Sequence, residues 1–238
     1  MALPPPARPG RDRPRIVALV GIDGSGKTTQ AHRLAADLAE RGFRASYRRN
    51  AGGRHWFGRL ASRLGRRDAE DLIGRRPMFV VESLLRWLAI LRALLRRAAT
   101  GEIAVMDRYA VCQYASLRAR GARPAAERRA RLAYGLFPRP DVTFLLAVDA
   151  KVAYERIERR GYDHEEIGFL YAATEAYRSL PEYAGFVVID ANGTPDQVAA
   201  AIRAHLTIPE SAALPSVPRP RPAVGPAAGT GTARLPKR

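Results

Sequence analysis

Residues 21–29 read Gly-Ile-Asp-Gly-Ser-Gly-Lys-Thr-Thr and match the phosphate-binding pattern G-x-x-x-x-G-K-[ST] at every fixed position. The apolar residues 16–20 precede this loop and predict a buried strand, and the amphipathic residues 28–41 follow it and predict a helix. A strand, a glycine-rich loop and a helix in this order surround a phosphate with backbone N–H groups and the positive end of a helix dipole. The sequence therefore predicts a nucleoside triphosphate site.

The loop itself supplies the expected ATP-binding residues. Lys27 is expected to reach the β- and γ-phosphates, and the Thr28 hydroxyl is expected to bind Mg²⁺. An aspartate that faces a triphosphate is repelled unless a cation lies between them, so we expect Asp23 near the metal or near a second substrate. The complete predicted set is Gly21, Ile22, Asp23, Gly24, Ser25, Gly26, Lys27, Thr28 and Thr29.

Short apolar segments alternate with helical patterns along the rest of the chain. They predict strands at residues 43–47, 103–106, 141–148 and 186–189, and helices that include residues 77–100 and one ending near Leu206. Strands separated by helices require right-handed crossovers and a parallel sheet. We therefore predict an α/β fold of the P-loop NTPase type, a three-layer sandwich with a five-stranded parallel sheet, helices on both faces, and ligands at the carboxyl ends of the strands.

The helix predicted over residues 77–100 carries apolar residues at spacings of three and four. We expect this stripe to face the core. Its members are Leu84, Trp87, Leu88, Leu91, Leu94 and Leu95.

The length of 238 residues suits one α/β domain. Residues 1–14 are rich in proline and arginine and lack the apolar centre of a signal peptide, and residues 208–238 lack apolar periodicity. We expect both ends to be disordered and residues 15–207 to form the folded domain. The single cysteine, Cys112, provides no disulfide and no zinc site, which favours a reducing cytoplasm.

The net charge of +17 favours anionic ligands. Nucleic acid is disfavoured as the main partner, because no basic run is interleaved with aromatic residues and no nucleic-acid-binding module is recognised. Residues 78–95 are apolar but include Glu82, Arg86 and Arg92, which are costly at the centre of a bilayer. No membrane span is predicted.

Three segments, together with the loop, resemble the thymidylate kinase family of nucleoside monophosphate kinases over residues 15–206. They are Asp107-Arg108-Tyr109 at a strand end, Pro140-Asp141 before the fourth strand, and Arg159-Arg160-Gly161 after it. The resemblance implies a phosphotransferase that moves the γ-phosphate of ATP to dTMP or a related nucleotide, with Mg²⁺ as cofactor. It also implies that Arg108 bridges the two phosphates and that Asp107 lies near the metal. A structural ion pair between Asp107 and Arg108 is the alternative.

The resemblance further implies a lid that closes an arginine over the moving phosphate. Candidates are Arg156, Arg159 and Arg160, and we assign catalysis to Lys27, Arg108 and Arg160. Where the family's lid continues with Asp-Arg, this chain has Asp163-His164. A solvated, arginine-rich helix end is the competing interpretation.

Family members bind the acceptor phosphate with the arginine of Thr-Arg-Glu-Pro-Gly-Gly. Residues 48–53 read Arg-Arg-Asn-Ala-Gly-Gly, so Arg49 is the expected phosphate ligand, while Asn50 replaces the glutamate. A basic surface loop is the alternative for Arg49.

In the family a phenylalanine stacks on the thymine, and an arginine four residues later on the same helix binds a carbonyl oxygen of the base. If Phe79 is the stacking residue, Ser83 takes the arginine position. If Arg86 is the arginine, Glu82 takes the stacking position, and we favour Arg86. An ordinary Glu82–Arg86 pair that faces solvent is the alternative. Gln113 is a candidate for a base edge. The predicted substrate-binding residues are therefore Asp23, Arg49, Arg86, Arg108 and Gln113, and the predicted metal-binding residues are Thr28 and Asp107.

The predicted function is thus an ATP- and Mg²⁺-dependent nucleoside monophosphate kinase with dTMP as the leading acceptor. The altered acceptor residues leave open a modified nucleotide, a nucleoside or another phosphorylated metabolite. An ATPase or switch associated with nucleic acid is a third interpretation. The resemblance also implies a homodimer formed by helices beside the sheet, for which residues 84–95 are candidates.

Overall fold

The computed structural model describes residues 15–50, 75–161 and 165–206, with the backbone alone for residues 75–79. The two ends predicted to be disordered, residues 1–14 and 208–238, lie outside these ranges. So do Ala51, the expected lid residues Asp163 and His164, and the side chain of Phe79.

Five strands alternate with helices in the described ranges. The strands are β1 Ile16–Val20, β2 Ala45–Arg49, β3 Ile103–Asp107, β4 Val142–Ala147 and β5 Val187–Asp190. The helices are α1 Lys27–Glu40, α2 Arg75–Thr100, α3 Ala110–Ala119, α4 Pro124–Tyr134, α5 Ala150–Arg160, α6 Ile167–Arg178 and α7 Pro195–His205, with a 3₁₀ turn at Pro181–Gly185.

The five strands form one parallel sheet in the order β2-β3-β1-β4-β5. Leu19 in β1 lies opposite Asp107 in β3 on one side and opposite Phe144 in β4 on the other. Every residue of β1 and β3 is buried, which is typical of central strands covered by helices. The predicted α/β fold with a five-stranded parallel sheet is confirmed.

Strand β2 begins two residues later than the sequence predicts, because the chain before it completes the end of α1. Gly42 adopts a positive φ of 85°. The N–H of Gly42 donates to the Ala39 carbonyl at 3.0 Å, and the N–H of Phe43 donates to the Leu38 carbonyl at 2.9 Å. This pair of bonds is the Schellman arrangement that terminates helices, so Phe43 belongs to the helix end.

The leucine stripe of α2 only partly faces the core, so the prediction is wrong for three of its members. Leu84, Leu88 and Leu95 are 54%, 46% and 61% exposed. Ile90 and Ala93, which the predicted stripe does not include, are buried. Spacings of four and seven place the three exposed leucines on a separate side of the helix, away from Ile90. Trp87, Leu91 and Leu94 pack against the core while partly buried.

No helix within the described residues has the length and apolar character that crossing a membrane requires.

Glu127 lies at the centre of an ion-pair network that links α3, α4 and the segment after α6. Its carboxylate accepts hydrogen bonds from Arg118 at 2.8 and 2.9 Å and from Arg131 at 2.8 Å. Arg131 also donates to Glu182 at 2.5 Å, and Arg118 donates to the Ser179 carbonyl at 2.5 Å. The hydrogen bond from Arg118 lowers the pKa of Glu127, and the bond from Arg131 lowers it further, against the opposing effect of burial.

Glu127→Gln is expected to lower the free energy of unfolding at pH 7 by about 1–2 kcal/mol, since the amide is uncharged and turns its NH2 group, a donor, toward an arginine donor. A carboxylate whose pKa falls on folding stabilises the protein above its unfolded-state pKa, and this stabilisation is lost as the pH falls through the folded-state pKa. The difference between wild type and variant should therefore be full at pH 7 and shrink below about pH 4.

Urea unfolding at several pH values measures this difference. Glu175→Gln is the matched control, because Glu175 pairs with Arg178 at 2.7 Å on an exposed surface, where ion pairs contribute little. A difference for Glu127→Gln that does not change with pH would contradict the assignment.

Candidate active site

The phosphate-binding loop packs so closely against its surroundings that two of its positions require glycine. Gly21 and Gly24 have positive φ angles of 142° and 81°. A Cβ atom at Gly21 would lie 2.7 Å from the Leu146 carbonyl oxygen, and one at Gly24 would lie 2.4 Å from the Ala153 carbonyl oxygen. The loop therefore rests on the end of β4 and on the backbone of α5, and both contacts fix its shape.

Lys27, the first residue of α1, turns its ammonium group back into the loop. Its side chain is only 4% exposed, and Nζ donates to the Ile22 carbonyl at 2.5 Å and to Ser25 Oγ at 3.3 Å. Burial lowers the pKa of Lys27, and the nearby Arg108 charge lowers it further, whereas Asp23 raises it. The ammonium group is thus held where the loop backbone would surround a phosphate.

Asp23 and Arg108 form an ion pair between the loop and the end of β3, in which the Arg108 guanidinium donates to the Asp23 carboxylate. Burial alone would raise the pKa of Asp23, but the charges of Arg108 and Lys27 outweigh it and hold that pKa well below its usual range. Burial alone would lower the pKa of Arg108, but the negative charge of Asp23 outweighs burial and raises that pKa. Arg108 pairs with Asp23 and not with its neighbour Asp107, so the alternative of an Asp107–Arg108 pair is not what the structure shows.

Asp107, the last residue of β3, is buried beside the start of α1. Its Oδ2 accepts hydrogen bonds from the Thr28 hydroxyl at 2.6 Å and from the Tyr47 hydroxyl at 3.1 Å. Its Oδ1 is buried and has no hydrogen-bond partner among the described residues. A buried carboxylate oxygen without a donor needs a cation or water, which Mg²⁺ with its preference for oxygen ligands satisfies.

No group of three His, Cys, Asp or Glu side chains that could hold a metal ion occurs in residues 15–50, 75–161 and 165–206. Thr28 Oγ1 and Asp107 Oδ2 lie 2.6 Å apart and could together hold an ion that takes its remaining ligands from substrate phosphates and water.

Arg86 and Gln113 meet in the interior beside this cluster. Arg86 Nη1 donates to Gln113 Oε1 at 2.5 Å, and both side chains are buried. The Arg86 charge also contributes to the low pKa of Asp23, which places it near the loop. Glu82, one turn earlier on α2, is buried as well. The alternative of a Glu82–Arg86 pair facing solvent is therefore wrong, because neither side chain faces solvent.

The three arginines assigned to the lid lie in two different surroundings. Arg156 donates to the carbonyls of Ala191, Asn192 and Gly193 at 2.8, 2.9 and 3.1 Å, so it supports the loop after β5. Arg159 and Arg160 are exposed at the end of α5. Arg49 is exposed at the end of β2, opposite Asp107 in the strand pairing.

Two tyrosines that the sequence analysis did not select also shape the site. Tyr47 donates to Asp107 and stacks on His32, with ring centroids 3.6 Å apart, and burial together with Asp107 raises its pKa to about 12. Tyr177 of α6 donates to the Gly21 carbonyl at 3.2 Å. The position of Tyr47, two residues before Arg49 on β2, was the available signal, since alternate residues of a strand share a face. No comparable signal marks Tyr177, which is distant in sequence.

The chain matches a known family over most of its length. Residues 19–202 match the family model described as Thymidylate kinase. A thymidylate kinase of Xanthomonas campestris pv. campestris is 32% identical over 191 residues, which cover 77% of this chain and 78% of that protein. Probable thymidylate kinases of Archaeoglobus fulgidus and Staphylothermus marinus are 29% and 30% identical, over 79% and 77% of this chain and 92% and 89% of theirs.

Gly24→Ala is expected to weaken MgATP binding at least about tenfold, because the added methyl group collides with the α5 backbone and the positive φ is disfavoured for alanine. Calorimetric titration with a non-hydrolysable ATP analogue measures this change. Gly168→Ala is the control, because nothing lies within 4 Å of its Cβ position and alanine favours the helix there. Unchanged affinity in Gly24→Ala would contradict the packing of the loop against α5.

Proposed function

The chain belongs to the thymidylate kinase family, and from this premise we propose that it transfers the γ-phosphate of ATP to dTMP, giving ADP and dTDP. The observation that carries the proposal is the contact between Asp23 of the phosphate-binding loop and Arg108 at the end of β3. A transfer between two phosphates requires a cation at the point where donor and acceptor meet, because the two anions repel each other. We assign this role to Arg108, because its pairing with Asp23 holds it beside the loop.

The donor half of the proposed site uses the loop and the start of α1. The loop N–H groups and Lys27 would hold the ATP phosphates, and Thr28 with Asp107 would bind Mg²⁺, which neutralises charge on the phosphate oxygens during transfer. The unpartnered Oδ1 of Asp107 supports this assignment. We assign ATP contacts to all nine loop residues, from Gly21 to Thr29.

The acceptor half of the proposed site uses the ends of β2 and β3 and the buried sides of α2 and α3. Arg49 and Arg108 would bind the acceptor phosphate, and Arg86 with Gln113 would read the base. The buried Arg86–Gln113 hydrogen bond supports the latter, since it fixes both polar groups in the interior before a base arrives. An ionised acceptor phosphate attacks without a general base, so no base is assigned.

Closure of the lid would bring one more cation to the transferring phosphate. We propose Arg160 for this role, with Arg159 as its neighbour, because both are exposed at the end of α5. Arg156 contributes indirectly, since it braces the loop that follows β5.

A modified pyrimidine nucleotide is the second candidate acceptor. The buried Glu82 favours it, because Glu82 occupies the position where the family resemblance places an aromatic residue that stacks on thymine. A carboxylate in that place would accept hydrogen bonds from a base that carries an additional donor. We further propose a cytoplasmic location, where ATP and nucleoside monophosphates are both available.

Purified protein with MgATP is expected to form ADP rapidly only when dTMP is added, in a coupled assay across a panel of nucleoside monophosphates and nucleosides. Lys27→Ala and Arg108→Ala should each lower kcat/KM by at least about 100-fold, because each removes a cation beside the transferring phosphate. Chelation of Mg²⁺ should abolish turnover. Arg178→Ala is the matched control, because Arg178 pairs with Glu175 at the surface, where ion pairs contribute little.

ADP formation that is indifferent to every acceptor would contradict the kinase proposal and indicate an ATPase. Turnover of another nucleotide in preference to dTMP would replace the acceptor but keep the chemistry.

We also propose that two copies associate through the exposed leucines of α2. Leu84, Leu88 and Leu95 share one side of the helix and are about half exposed or more. A row of leucines along one helix suits the self-complementary contact of a twofold dimer.

Leu88→Glu is expected to convert the protein from twice the chain mass of 26.1 kDa to a single chain mass in sedimentation equilibrium, because a charge would be buried at the contact. Tyr171→Glu is the control, since Tyr171 is 49% exposed on α6. A wild-type protein that sediments as one chain would contradict the dimer.

A further inference from the structure

Arg108 has an unusual backbone conformation. Its φ angle of 74° lies in the left-handed region, and it is the one non-glycine residue with a positive φ in the described parts of the chain. Residues with a Cβ atom disfavour this region, and arginine has no local side-chain bond that compensates as asparagine or aspartate does. Glycine would adopt the turn easily but would remove the guanidinium group. The surroundings must therefore hold Arg108 in place.

Hydrogen bonds to both backbone groups of Arg108 hold this turn. Its N–H donates to the Leu19 carbonyl at 3.0 Å and so continues the pairing of β3 with β1. Its carbonyl oxygen accepts from Asn50 Nδ2 at 2.7 Å. The N–H of Asn50 donates to the Asp107 carbonyl at 3.0 Å. Asn50 therefore donates to two consecutive carbonyls, one from its backbone and one from its side chain.

The orientation of the Asn50 carboxamide follows from its partner. A carbonyl oxygen can only accept, so the amide nitrogen must face Arg108, and the reversed amide would place two acceptors 2.7 Å apart. The side chain is completely buried, and Nδ2 also lies 3.4 Å from Met106 Sδ. Water cannot replace this donor without a change in packing.

We propose that Asn50 is a positioning residue for the phosphate-transfer reaction. It holds Arg108 in the left-handed conformation from which the guanidinium reaches Asp23 at the phosphate-binding loop. A glutamate, which the family resemblance places at this position, could not donate to the Arg108 carbonyl. The inference rests on the proposed function, because Asn50 affects the reaction rate only if Arg108 acts in the phosphate transfer.

A purely structural role for Asn50 makes different predictions from a positioning role. If Asn50 only stabilises the sheet, its loss lowers the melting temperature and leaves the active fraction with normal kcat. If it positions Arg108, its loss lowers kcat at temperatures where the protein is fully folded, because misplacement by about 1 Å can reduce rates on the order of 100-fold. The KM for ATP should change little, since the loop and Lys27 are untouched.

The test compares Asn50→Ala and the isosteric Asn50→Asp in the dTMP-dependent assay. Both should lower kcat about 10- to 100-fold, because each removes the donor. Adding Asn50→Ala to Arg108→Ala should cause almost no further loss, since Asn50 acts through the side chain that is already absent. Gln30→Ala is the control, because Gln30 is also buried and its amide donates to a backbone carbonyl, that of Pro195 at 2.8 Å.

A second measurement does not depend on activity. In an Arg108→Gly background, Asn50→Ala should lower the melting temperature less than it does in wild type, because glycine adopts the positive φ without support. If Asn50→Ala does not fold, Asn50→Ser, which keeps a small polar side chain at the buried position, is used in the same comparison.

Normal kcat in both Asn50 variants, or kcat effects that multiply with those of Arg108→Ala, would overturn the inference. Equal losses of melting temperature in the two backgrounds would overturn it as well. Wild-type protein without dTMP-dependent turnover would instead refute the proposed function, while the melting comparison would still decide whether Asn50 supports the turn.

Discussion

The guanidinium of Arg108 reaches the carboxylate of Asp23 only because β1 and β3 are neighbours in a fixed register. Leu19 pairs with Asp107, and the residue that follows β3, Arg108, donates its N–H to the Leu19 carbonyl and turns toward the loop. A shift of one residue would point the alternate side chains to the opposite face of the sheet. The core packing of the two buried strands therefore determines where the charged groups meet. The α1 helix dipole and Lys27 add positive electrostatic potential at the same place.

Positive charges outnumber negative ones in this cluster, which suits the binding of an anion. Lys27, Arg108 and Arg86 bring three positive charges together, and Asp23 and Asp107 supply two negative ones. Asp23 remains ionised because its cationic neighbours outweigh the effect of burial, and Asp23 in turn raises the pKa of Arg108. Under the proposed function, an incoming phosphate would meet charges that are already held in place. Such preorganised groups stabilise a transition state without reorganisation during the reaction.

Much of the fold could be predicted from the sequence, because it follows from short-range patterns. The loop pattern, the apolar strands and their alternation with helices predicted the five-stranded parallel sheet, which is confirmed. The side of α2 that faces the core could not be predicted, since leucines surround much of that helix and only packing selects Ile90 and Ala93.

Part of the candidate site could also be predicted from short-range sequence patterns. Strand ends indicated Asp107 and Arg108, whereas Tyr47, Tyr177 and Asn50 act through contacts distant in sequence. The roles of all these residues remain predictions.

We propose that donor and acceptor phosphates meet at Arg108. Calorimetric titration with adenosine and thymidine joined through five phosphates tests this arrangement, because the ligand spans both halves of the site. We expect one ligand per chain, an affinity at least about 100-fold above that of ATP or dTMP alone, and loss of this gain in Arg108→Ala. Binding no tighter than that of ATP alone, or equal in wild type and Arg108→Ala, would contradict it.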